Sequence, residues 1–115
     1  MPTIYFGFNS SRIEGTDYIL LQKIAHLMRD HADLTLLVVG HSDKPGEEAY
    51  NLVLSFNRAS AIVDYLVKSY KIPRERFVLQ YKGSTEAFVA GEHEANRRVQ
   101  FLVAKGEKDM AAPKK

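Results

Sequence analysis

Asp43 and Arg58 are an acid and a base fifteen positions apart, separated by a turn and the opening of a helix. The run Leu36-Leu37-Val38-Val39 reads as a buried strand ending at Gly40. A polar turn follows, His41-Ser42-Asp43-Lys44-Pro45-Gly46, in which proline and glycine let the chain reverse. A helical pattern starts at Glu47, and Asn51, Ser55 and Arg58 recur at i, i+4, i+7, so their side chains share one helix face. A carboxylate and a guanidinium held apart, with an amide between them, suit a ligand carrying both an ammonium and a carboxylate. This is the chemistry of a zwitterion clamp.

Other chemistries find less support. Ser42, His41 and Asp43 are contiguous, but neighbours on a strand end point in different directions, and a triad needs convergence. There is no Gly-x-Ser-x-Gly elbow and no Gly-rich phosphate loop, so the chain is not expected to be an enzyme and no catalytic residue is assigned. His26 and His31 are five apart, His41 and His93 are isolated, and no His-x-x-x-His spacing exists, so neither metal nor cofactor is expected. His41, beside the buried strand, reads as a hydrogen-bonded structural histidine. The net charge of +2, with basic residues dispersed, does not point to nucleic acid; Tyr5, Phe6 and Phe8 offer only a faint version of an RNA-stacking strand. The chain has no cysteine, so it has no disulfide and no thiolate site.

Read together, Gly40-His41-Ser42-Asp43-x-x-Gly46, Tyr50-Asn51-x-x-Leu54-Ser55-x-x-Arg58-Ala59 and Asn96-Arg97-Arg98-Val99 resemble the OmpA-like peptidoglycan-binding domain. That domain occurs in OmpA-type porins, Pal lipoproteins and MotB-type stators. The resemblance runs from about Ile4 to Val103. It implies a non-catalytic module that binds the diaminopimelate of the peptidoglycan stem peptide. Asp43 would face the ammonium, Arg58 a carboxylate, Asn51 would support them, and Arg97 would border the site. Phe6-Gly7-Phe8 departs from the usual Phe-Asp-Phe, so Gly7 would offer only its backbone N–H to a ligand. Lys82-Gly83 and His93 are further departures at the rim. The resemblance also implies a periplasmic location, with membrane attachment only through a part absent from this chain. The same departures leave open a scaffold or protein-interaction domain that has lost wall binding. Oligomeric state is not legible.

The elements that would position these residues follow from periodicity. Residues 3–8 read as a short strand, and Thr16 as the N-cap of a helix reaching about His31, with Leu20, Leu21, Ile24, Leu27 and Met28 as its core stripe. Leu34 to Val39 is the second strand. The second helix runs from about Glu47 to Tyr70, with Leu52, Phe56, Ala59, Val63 and Leu66 inward, and Ile72-Pro73 ends it. Arg76 to Tyr81 and Arg97 to Ala104 complete the strands, the last with Arg98 and Gln100 on a wet face. The order β-α-β-α-β-β predicts an α+β two-layer sandwich, helices on one face of a four-stranded mixed sheet. Parallel pairing is expected of the first strand with the second and of the second with the third. Residues 1–104 are expected to form one domain and 105–115 a disordered tail.

Overall fold

The structure, a computed structural model, describes residues 3–7, 10–42, 48–83 and 97–104. The tail expected at 105–115 and the carboxylate of Asp43 lie outside the described residues. The elements are β1 (Thr3–Tyr5), α1 (Asp17–Asp30), β2 (Thr35–Gly40), α2 (Glu48–Tyr70), a 3-10 turn (Arg74–Arg76), β3 (Phe77–Tyr81) and β4 (Arg98–Ala104). They form a four-stranded mixed sheet in the order β1-β4-β2-β3, with two helices packed against it. The α+β sandwich is therefore as the sequence predicts.

Helix α1 buries Leu21, Ile24 and Met28 of the predicted stripe, together with Ala25, while Leu20 and Leu27 are half-buried. Its start differs in mechanism: the Thr16 side chain makes no capping bond. The helix is instead entered through a turn in which the Asp17 and Tyr18 amides donate to the Glu14 and Gly15 carbonyls. Ile4, Phe6, Leu36, Val38, Val99 and Phe101 meet α1's stripe and α2's Ala59, Ile62, Val63 and Leu66 in one core. Leu37 and Val39 are also buried, as a central strand requires.

Three expectations are corrected. β2 and β3 do pair in parallel, Leu36 opposite Phe77 through Gly40 opposite Tyr81. β1 does not pair with β2, because β4 enters between them and is antiparallel to both. β4 carries seven residues and can hold two partners, whereas β1 carries three and closes the sheet at an edge. Next, α2 turns a polar face inward in its first half. Asn51, Leu54, Ser55 and Arg58 are buried, and Phe56 is 42 % exposed with Leu52 half-buried. The predicted stripe runs through apolar residues alone, and the buried polar side chains displace it by about one position. Finally, Arg98, expected on a wet face, is 2 % exposed.

At Gly40 the sheet and α2 approach so closely that backbone meets backbone. A methyl group there would collide with the Ser55 carbonyl oxygen and press on Ala59. Gly40→Ala is expected to cost about 2–4 kcal/mol or to prevent folding, as overpacking against an immobile backbone does. Urea denaturation followed by circular dichroism measures this; a midpoint equal to that of the parent would contradict the close approach.

Candidate functional site

The site is built where β1 and β2 end and α2 begins. Strand alternation places Gly40 and Ser42 toward α2 and His41 toward the opposite face of the sheet. On the helix side Ser42 Oγ donates to Asn51 Oδ1 at 3.0 Å. Ser55 Oγ donates to the Leu52 carbonyl at 2.9 Å and accepts the Gly83 amide at 2.9 Å. The Ser42 amide donates in turn to the Gly83 carbonyl at 2.8 Å. Gly83 holds a left-handed φ of 59°, which suits glycine, and its α-carbon faces the Glu48 carboxylate. Ser42, Asn51 and Ser55 are fully buried, so these bonds close a polar cluster inside the protein.

Arg58 lies beside this cluster and is also fully buried. Its Nε donates to the Ser10 carbonyl at 2.7 Å, Nη1 to the His41 carbonyl at 3.0 Å and Nη2 to the Gly7 carbonyl at 3.1 Å. Its guanidinium carbon stands 5.5 Å from the centre of the Phe6 ring. One planar cation thus ties the segment after β1 to the end of β2. Burying such a charge is costly unless its donors find acceptors, and three carbonyl dipoles supply them. The guanidinium is fixed in orientation by the fold itself.

Arg97, the residue before β4, closes the same corner. Its Nε donates to the Phe6 carbonyl at 2.9 Å, and the Phe6 amide donates to the Arg97 carbonyl at 2.7 Å. On the other face of the sheet His41 meets Gln100, Nε2 to Oε1, at 2.8 Å, so the histidine is hydrogen-bonded and interior. Arg98 on β4 and Lys82 beyond β3 flank it, both buried. Among the described residues no three His, Cys, Asp or Glu side chains gather as a metal ligand set.

Of the residues singled out in the sequence, Gly7, Asn51, Arg58 and Arg97 converge on this corner. Gly7 contributes its carbonyl, which accepts from Arg58, whereas the sequence pointed to its amide. Asp43 follows Ser42 directly in the chain and lies outside the described residues. Asn51 and Arg58 are interior rather than on a wet helix face. Ser10 and Ser42 were not singled out as site residues. Strand parity would have aimed Ser42 at the Asn51 face, but no sequence signal marks the Ser10 carbonyl as an acceptor.

Arg58→Ala would strand three carbonyls and open a void, with an expected loss of about 3–5 kcal/mol. For a domain of this size that lowers Tm by more than about 10 °C. Scanning calorimetry of the parent, Arg58→Ala and Arg58→Lys measures it, and lysine is expected to recover only part because it lacks the planar fork. A Tm for Arg58→Ala within a degree or two of the parent would contradict the role given to the guanidinium.

Comparison with known proteins places this geometry. The sequence matches the OmpA family over residues 5–100. It is 33% identical over 102 residues to outer membrane protein 40 of Porphyromonas gingivalis, covering 88% of this chain and 26% of that protein. It is 33% identical over 64 residues to the peptidoglycan-binding protein ArfA of Mycobacterium tuberculosis, covering 56% of this chain and 20% of that one. The chain therefore spans about a quarter or less of the length of these curated relatives. The fold is similar to that of the peptidoglycan-associated lipoprotein from Burkholderia pseudomallei, with a TM-score of 0.82, 24% identity and 89% of each chain covered. With a family match across nearly the whole described structure and a β-α-β-α-β-β sandwich to go with it, the chain belongs to the OmpA family, whose domains are non-catalytic binding modules.

Proposed function

We propose that this domain binds peptidoglycan through the diaminopimelate of the stem peptide, and so anchors a larger envelope protein to the wall from within the periplasm. The observation that carries the reading is Arg58, an interior cation oriented by the carbonyls of Gly7, Ser10 and His41, the last of them two residues before Asp43 in the chain. The name of the mycobacterial relative, a peptidoglycan-binding protein, points the same way. Membrane attachment belongs to the part of the parent protein outside this chain; among the described residues no helix is long and apolar enough to cross a membrane.

In this reading Asp43 meets the ammonium of diaminopimelate and Arg58 supplies the positive field that its carboxylate enters. Asn51, whose amide is oriented by Ser42, and Arg97, which holds Phe6 beside Gly7, shape the wall of the pocket. Gly7 leaves the rim without the side-chain carboxylate that the family usually has there. A charge-assisted contact is worth about 1.5–3 kcal/mol, which is about one to two decades in Kd. Lysine at the third stem position keeps the ammonium and lacks the adjoining carboxylate, so it forfeits the Arg58 half of the clamp.

Because Arg58 also holds the fold together, Asp43→Asn is the more informative variant. Titration calorimetry with a diaminopimelate-containing stem tripeptide is expected to show binding by the parent and a loss of tenfold or more in Asp43→Asn. The same tripeptide with lysine at the third position should bind about tenfold or more weakly than the diaminopimelate form. Equal affinity for the two peptides, or no heat with either, would overturn this reading in favour of a scaffold or protein-interaction domain.

A further inference from the structure

Beside the corner described above, the first turns of α2 and the end of β3 enclose an open groove of about 480 Å³, lined by Ala49, Leu52, Val53, Phe56 and Tyr81. Such a volume lies within the range of small-ligand sites. Among the described residues none that lines it is charged. Phe56 and Tyr81 meet edge to face with ring centres 5.4 Å apart, yet remain 42 % and 49 % exposed, and Val53 is 58 % exposed. Aromatic side chains are usually covered more fully than this, and a contiguous exposed apolar patch marks a place of contact. The groove is joined to the stem-peptide corner through Leu52 and Gly83. The Leu52 carbonyl accepts from Ser55, Ser55 holds the Gly83 amide, and Leu52 packs close to Gly83.

We infer that this groove is a subsite for the glycan of the wall, taking the N-acetylated disaccharide that carries the stem. The inference rests on the function proposed above and extends it. Three observations select this occupant. The described lining is neutral, and so is the disaccharide, because the lactyl carboxylate of its muramic acid is consumed in the amide bond to the stem. Exposed aromatic rings suit the C–H face of a hexosamine and the methyl of its acetamido group. The spacing also agrees: neighbouring strands lie about 5 Å apart, so the groove beside β3 is about 5 Å from the end of β2 and about 14 Å from Gly7 beyond β1. The third residue of an extended stem reaches about 10 Å from its point of attachment to the sugar. A ligand with its diaminopimelate at the corner therefore has the reach to bring its sugars to Phe56 and Tyr81.

The test compares two probes: the stem tripeptide alone and the same tripeptide carried on its N-acetylglucosaminyl–N-acetylmuramyl disaccharide. The parent domain is expected to bind the disaccharide form roughly tenfold more tightly. Phe56→Ala and Tyr81→Ala should erase that gain and leave tripeptide affinity unchanged. Val53→Glu, a substitution at an exposed helix position that keeps the fold, should do the same by placing a carboxylate in the groove. Equal affinity of the parent for the two probes would overturn the glycan subsite alone, and would leave a protein partner as the occupant of the groove. Parallel loss of both affinities in the variants would also overturn it. Binding of neither probe would overturn the stem-peptide reading, and the subsite with it.

Discussion

A single guanidinium, buried among the carbonyls of Gly7, Ser10 and His41, joins parts of this domain that are far apart in sequence. Hydrophobic contact explains why α1 and α2 lie on the sheet, since Leu21, Ile24, Ala59, Ile62 and Phe101 have nowhere else to go. It does not explain how the segment after β1 is brought beside the end of β2, because β4 stands between the two strands. Arg58 makes that connection across the top of β4. A leucine or methionine in its place would fill the volume without the desolvation cost of a charge, and buried ions are often no better for stability than such residues. The function proposed above gives a reason to hold a cation there, since its field would attract the carboxylate of the ligand.

The polar cluster of Ser42, Asn51, Ser55 and Gly83 works in the same direction at smaller scale. Each bond is worth only about 0.5–1.5 kcal/mol net, but leaving any of these buried groups unpaired would cost as much or more. Together they lock the exit of β2, the first turns of α2 and the exit of β3 into one unit. Gly40 permits this by letting α2 come against the strand with no side chain intervening. The corner is thus ordered by the fold itself, and under the function proposed above this would lower the ordering cost of association.

Much of this was legible in the sequence, for identifiable reasons. Helix periodicity located α1 and α2, the apolar run located β2, and the shared face of Asn51, Ser55 and Arg58 followed from spacing alone. What failed was inference from hydrophobicity where polar groups are buried. Apolar spacing runs the inward face of α2 through Phe56, because nothing local reveals that Asn51 and Arg58 will find partners in the interior. Arg98 looked solvated for the same reason. Strand order was also out of reach, since crossover rules constrain consecutive strands and say nothing about β4 returning between β1 and β2. The acceptors of Arg58 are main-chain carbonyls, and a carbonyl leaves no mark in a sequence.

The most direct test of this account is the NMR signal of the Arg58 side-chain Nε–H, followed as the free domain is titrated with the diaminopimelate-containing stem tripeptide. A guanidinium already held by the Ser10 carbonyl should give a sharp resonance, slow to exchange with water, in the absence of ligand. The resonance should then move on titration while staying protected. A signal in the free domain that exchanges as fast as those of surface arginines would contradict the claim that the fold fixes this cation. A protected signal that the peptide leaves unmoved would separate Arg58 from the ligand and reduce it to a structural tie.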